Sequence, residues 1–301
     1  MIITNNYSML LNKQISIPYF LRQIKYEILA ISVFAILVGW LDHFRLLKEL
    51  TFPIAIPSIV GTAVSLLLAF RIAQSYERWW EARIVWGAIV NDSRTLIREV
   101  QLFIKDDNEK EITAFAHRQV IWNYALGESL RQLPFSDRVQ SYINSNNIMA
   151  DNIPNALLDQ HTAQIKRWYD EGRISEFRQV QLDTTIARLC DSMGKCERIK
   201  KTVFPRSYSM LLHTLIFAFT FILPFGLSDN FIVPEILLSI ALPVMFIAIE
   251  KTAIIMQDPF ENTPVDTPMT ALATTTEINI KQMIGDPNLP VREENNTYYQ
   301  M

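Results

Sequence analysis

The sequence predicts an all-α membrane protein, with four transmembrane helices per subunit and a helical cytoplasmic domain. Three observations lead there. Hydrophobic residues make up 50 % of the 301 positions, yet they are bunched into four stretches, so a mean hydropathy of only +0.12 misleads. A long charged segment with helical patterning separates the second stretch from the third. From Pro57 to Arg94 an uncharged helix runs on into a charged, tryptophan-rich one, with no glycine or proline at the join.

The apolar stretches are Ile28 to Leu41, Ile54 to Phe70, Met210 to Leu227 and Phe231 to Ile249. A bilayer needs roughly 20 residues of helix. The first stretch reaches that with Ile24, Tyr26 and Phe44, and the second by counting Thr51-Phe-Pro53. Pro53, Pro57, Pro224, Pro234 and Pro243 interrupt them, which membrane helices tolerate where neighbours satisfy the freed backbone groups. A soluble all-α chain with buried helices is the competing architecture, but paired stretches such as 210–227 and 231–249 are rare in one soluble domain.

Ser58 to Phe70 carries no charge, and Arg71 to Arg83 carries five charged side chains. Ala, Leu, Glu and Arg are good helix formers, so one helix should leave the bilayer and project into water. Such a rod suits a pore whose wall continues outside the membrane.

Basic residues set the topology. Lys13, Arg22 and Lys25 precede the first span; Arg71, Arg78, Arg83, Arg94 and Arg98 follow the second; Lys195, Arg198, Lys200, Lys201 and Arg206 lead into the third. The loop Ser228-Asp-Asn230 has neither Lys nor Arg, while Arg45 and Lys48 are balanced by Asp42 and Glu49. By the positive-inside rule both termini and the 71–208 segment are cytoplasmic. The expected organisation is a cytoplasmic segment over 1–24, transmembrane helices 1 and 2 over 25–70, a cytoplasmic helical domain over 71–208, transmembrane helices 3 and 4 over 209–256, a cytoplasmic segment over 257–285 and a disordered tail over 286–301. Within it, Ser175 is an expected N-cap after the turn at Gly172, and Gly194 an expected helix end. Asp106 to Lys110 and Asn144 to Asn147 are expected loops. Thr274-Thr-Thr-Glu277 fits a capping box, opening a helix that Gly285 and Pro287 close.

Catalysis has little to stand on. His43, His117, His161 and His213 are scattered, no HExxH motif or phosphate loop appears, and the six-residue spacing of Cys190 and Cys196 fits no zinc or redox motif. A net charge of −3 argues against nucleic acid. No enzyme, metal or cofactor is expected. His213, within a span, is either a functional group or a histidine bonded to a neighbouring helix.

The second span is more telling. Gly61, Ser65 and Ala69 repeat every four residues, a small-residue stripe that permits close helix packing. Thr62, Leu66 and Phe70 repeat likewise on a face turned by about 100°. That second face looks at lipid, at a neighbouring span or, if several copies surround an axis, into a hydrophobic constriction. Apart from Glu235 and Glu250 near their ends, the spans hold no charged side chain. Four of them make no polar pore alone, which favours an oligomer whose subunits are expected to meet through the Gly61-Ser65-Ala69 stripe and the tryptophan block. Tyr76, Trp79, Trp80 and Trp86 lie beyond the headgroups and are expected to pack in the cytoplasmic domain.

At these residues the chain resembles the bestrophin family of ion channels. The resemblance rests on Phe70-Arg71, Ser75-Tyr76, Arg78-Trp-Trp-Glu-Ala-Arg83, Trp86-Gly87 and Asn91-Asp-Ser-Arg94. It extends to Cys196-Glu-Arg-Ile199, Pro205-Arg-Ser-Tyr208, His213 and Gln257-Asp-Pro-Phe260. The chain looks like a bacterial-type member, and the resemblance implies a homopentamer around one axial pore in the cell membrane. It implies a pore neck at Thr62, Leu66 and Phe70 and a lower constriction near Ile186. Arg71, Tyr76, Arg78, Trp79, Trp80, Glu81, Arg83 and Asn91 form its structural block, with Arg78 and Glu81 one turn apart. Animal members bind calcium through a run of acids of which only Glu261 and Asp266 remain here, against the six to eight oxygens calcium takes. The implied function is passage of monovalent ions, chloride above all. A monovalent cation channel is the alternative, and a membrane scaffold or signalling protein the alternative of another class. The expected partners are copies of itself, membrane lipid and permeant ions.

Overall fold

A computed structural model describes residues 22–43, 52–104, 109–227 and 232–291. The expectations for Lys13, Arg45, Lys48, Glu49, the 228–230 loop, positions 106–108, most of the 1–24 segment and the tail beyond 291 fall outside these residues, as do the side chains of Asp42 and His43. Among the described residues the regular elements are all helical. They are α1 (Lys25–His43), α2 (Ala55–Phe103), α3 (Glu109–Leu130), α4 (Asp137–Ser145), α5 (Ile153–Asp170), α6 (Glu176–Lys201), α7 (Arg206–Ile222), α8 (Ile232–Gln257) and α9 (Met269–Met283), with a 3-10 turn at Pro224–Gly226. The chain divides into two compact units, one over 1–78 and 203–257 and the other over 79–202 and 258–301.

The predicted rod is present. α2 runs unbroken for 49 residues, about 73 Å at the α-helical rise. Pro57 sits in its first turn, where a missing N–H costs nothing. α2 and the Val233–Gln257 stretch of α8 are long and apolar enough to cross a membrane, and the apolar α7 is shorter. Pro243 lies inside α8 without ending it.

In the first unit Ile31, Val64, Leu68, Leu212, Ile216, Phe219, Phe246 and Ile247 form one buried cluster, which draws α1, α2, α7 and α8 together. On its other face α1 leaves Leu29, Val33, Ile36, Leu37 and Trp40 exposed, the outward apolar surface a bilayer accepts. Gly61 is buried, and a Cβ there would sit 2.8 Å from Cε2 of Phe219. The small residue therefore admits α7 of the same subunit. That corrects the expectation that the whole Gly61-Ser65-Ala69 stripe joins subunits; Ser65 and Ala69 alone remain exposed. Gly61→Ala is expected to destabilise by about 1–3 kcal/mol through overpacking against a buried ring, read as a lower unfolding temperature in detergent.

The second unit is built on three fully buried tryptophans, Trp86, Trp122 and Trp168, with Phe115, Ile97, Leu157, Leu182 and Leu189. Asn152 caps α5 by accepting from the Asn155 N–H at 3.1 Å. Gly172, at φ +72°, makes the turn before α6, and Ser175 stands at the N-cap without a side-chain cap bond. Two boundaries differ from expectation. Gly194 does not stop α6, because buried Met193, Cys196 and Ile199 carry the helix on to Lys201. Nor does Thr274 open α9, which starts at Met269 after Pro268. Gly285, also at φ +72°, closes that helix, with the Asp286 N–H donating to the Lys281 carbonyl at 2.9 Å.

Glu277 is thereby free of capping and ties α9 to α3 and α4. Tyr124 donates to it at 2.8 Å, Arg138 at 2.5 Å and Lys281 lies 3.0 Å away. Burial pushes its carboxyl upward, but these three donors outweigh burial and hold it below the usual carboxylate range. A folded value below the unfolded one means the contribution is full above the unfolded carboxylate range and is lost as pH falls through the folded value. Glu277→Gln is expected to lower stability at neutral pH and to flatten its acid-side decline, as thermal unfolding from neutral to acid pH would read.

Candidate functional site

On α2 the side chains of Thr62, Leu66 and Phe70 stand in one exposed row. Leu66 and Phe70 are each 58 % exposed. The Thr62 hydroxyl donates to the Ser58 carbonyl at 2.8 Å, so its methyl is left as an outward apolar group. On the opposite face Val64, Leu68, Arg71 and Ser75 are buried. The row is therefore an apolar surface backed by the subunit's own packing.

One residue past Phe70, the helix turns a charge inward. Arg71 is 3 % exposed, and its Nη1 donates to Oε1 of Glu250 on α8 at 3.2 Å and to Oγ of Ser209 on α7 at 3.0 Å. Its guanidinium carbon lies 4.9 Å from the Phe204 ring centroid. Nε2 of His213 is 2.8 Å from the same Glu250 oxygen, so this histidine is the one bonded to a neighbouring helix. Tyr208 adds a hydroxyl bond to the Leu67 carbonyl at 2.6 Å. Buried ions need such company, since removing a charge from water costs several kcal/mol unless it is paired. The knot fixes α2, α7 and α8 beside the exposed row.

The rest of the motif block divides. Trp86 is fully buried, and Trp79 donates its indole N–H to the Val265 carbonyl at 2.8 Å. Trp80 and Tyr76 are about half exposed, Arg78 and Arg83 are half-buried and Asn91 is exposed. Glu81 accepts from Arg198 at 2.6 Å, a partner 117 positions away that no local spacing announces.

The residue expected near the lower constriction is not on the exposed face of α6. Ile186 is 5 % exposed and packs in the core of its own subunit with Leu182 and Leu189. Thr184, two residues earlier and about 200° round the helix, is exposed. The large apolar groups that α6 presents outward are Phe177, 88 % exposed, and Val180. Beside them Glu99 accepts from Gln181 and Thr185, each at 2.8 Å, and Arg188 donates to Asp92 at 2.9 Å. These tie α6 to the second-unit part of α2.

Among the described residues no group of three His, Cys, Asp or Glu is placed to hold a metal ion. The two surviving acids after the last span are occupied, Glu261 by Lys200 at 2.5 Å and Asp266 by the Thr263 backbone N–H at 3.0 Å. Cys190 and Cys196 are free thiols, and burial, aided by Glu197 and Glu81, pushes Cys196 up to about 12.

A protein-family profile described as bacterial/fungal bestrophin protein matches residues 9–282. The voltage-dependent anion channel-forming protein YneE of Escherichia coli K12 is 27 % identical over 269 residues, covering 88 % of this chain and 86 % of that one. A voltage-dependent anion channel-forming protein of Ralstonia nicotianae is 27 % identical over 237 residues, covering 77 % and 78 %. The crystal structure of a bacterial bestrophin homologue from Klebsiella pneumoniae superposes with a TM-score of 0.80 at 23 % identity, over 87 % of this chain and 98 % of that one. The all-α fold is thus shared with a solved membrane protein, and the profile spans most of the sequence: the chain belongs to the bacterial and fungal bestrophin family.

Proposed function

We propose that the chain is one subunit of an anion-conducting channel, a homopentamer whose single axial pore is narrowest at Thr62, Leu66 and Phe70. The observation that carries this reading is the exposed apolar row on α2, backed by buried residues and anchored at its lower end by the Arg71–Glu250 pair. An apolar side chain facing water is costly unless lipid, protein or a dewetting constriction meets it. The anion assignment draws on relatives named as anion channel-forming proteins. Four spans, α1, the first part of α2, α7 and α8, would place both termini and residues 71–208 in the cytoplasm. A second narrowing is assigned to Phe177, with Val180 one turn along, because these are the exposed apolar groups on α6.

Liposomes containing the purified chain, loaded with opposed chloride and sodium gradients, test the reading. Chloride flux that needs no energy source is expected. Liposomes no leakier than protein-free ones would leave a scaffold role in its place.

A further inference from the structure

The outward row of α2 meets its first charge at Glu77. Thr62, Leu66, Phe70, Ala73 and Glu77 are all exposed, at spacings of four, four, three and four, which is one face of a helix. Glu77 lies seven residues beyond Phe70, about 10 Å along the axis and about 20° round it. The nearby charges are engaged elsewhere: Arg71 is buried against Glu250, and Glu81 accepts from Arg198. Glu77 itself makes no hydrogen bond or ion pair with a described residue. In sequence the period continues at Trp80, Ile84, Gly87 and Asn91, none of them charged. From Thr62 to Asn91 this face carries two carboxylates, Glu77 and, one turn on, Glu81, and the second is paired with Arg198.

We propose that Glu77 is a specificity-determining residue of the pore, restraining its preference for anions and admitting cations. The proposal rests on the neck assigned above. Repeated by each copy around the axis, Glu77 places carboxylates just inside the constriction, where every permeant ion passes. One carboxylate about 6 Å from an ion in water changes that ion's local occupancy roughly threefold, up for a cation and down for an anion. Several act together, and salt weakens them because the screening length falls from about 30 Å at 0.01 M to about 3 Å at 1 M.

Reversal potentials in planar bilayers under a KCl gradient test this. Glu77→Gln is expected to move the reversal potential toward the chloride equilibrium potential, and Glu77→Lys further, with both shifts larger at low salt. Unchanged reversal potentials at low salt in conducting variants overturn the proposal. Should these variants fail to assemble, Glu77→Cys in a Cys190→Ser background is modified after reconstitution with a cationic or an anionic thiol reagent. Opposite shifts support the proposal, and identical ones overturn it. Single-channel conductance of Phe70→Ala, recorded in the same bilayers, separates the two readings. A conductance rise at Phe70 with no reversal shift at Glu77 removes only the specificity role. A reversal shift at Glu77 with unchanged conductance at Phe70 moves the neck elsewhere and keeps Glu77 in the ion path. A parent chain that passes no ions overturns both.

Discussion

Phe70→Ala is expected to raise single-channel conductance several-fold with little change in the preference between chloride and sodium. The phenyl ring is the bulkiest group on the exposed row and is 58 % exposed in the subunit. In every copy the substitution would remove an aromatic group from the same level of the pore, so the opening widens and wets. An apolar neck resists ions mainly through the water they must shed there. Wetting it lowers that barrier for either sign of ion, which is why preference should hold while rate rises. Conductance unchanged in properly assembled channels would mean that the row faces lipid or protein.

The largest loss of stability is expected from Glu250→Ala. It leaves the Arg71 guanidinium, 3 % exposed, with Ser209 and the Phe204 ring but no counter-charge. Removing one partner of a buried ion pair typically costs about 3–5 kcal/mol. Replacing both, with Arg71→Met beside Glu250→Leu, is expected to recover most of that, because no uncompensated ion remains. His213→Ala removes a contact from a half-exposed side chain and is worth about 0–1 kcal/mol. Thermal unfolding of the detergent-solubilised protein would order the three. A double variant no more stable than Glu250→Ala would contradict the charge argument and assign the loss to packing.

What the sequence discloses here is periodic and local. The long α2 was legible because its helix formers continue through the change from apolar to charged residues, and the Thr62, Leu66 and Phe70 row because a four-residue spacing is a helical face. Gly61 misled for the same reason: spacing says that something packs closely, but Phe219, 158 positions on, decides what. Ile186 is itself buried, because a one- or two-residue step along α6 turns a side chain from the surface into the core. The Thr274–Glu277 pattern fits a capping box, yet Glu277 serves Tyr124, Arg138 and Lys281 instead. The Arg71–Glu250 pair left no trace at all, since its partners stand 179 positions apart.

That separation has a consequence for how the chain is made. α2 leaves the ribosome with Arg71 long before α8 exists. At about 5–20 residues per second, the intervening 179 positions take about 10–40 s to synthesise. Throughout that interval the arginine has no carboxylate and must keep its head in water or among lipid headgroups, which a long flexible side chain can do. Its burial is therefore a late event in biogenesis. The nascent protein acquires its final registration of α2, α7 and α8 only once Glu250 has been translated, and a chain arrested before that point would hold Arg71 without the carboxylate that it is buried against in the finished fold.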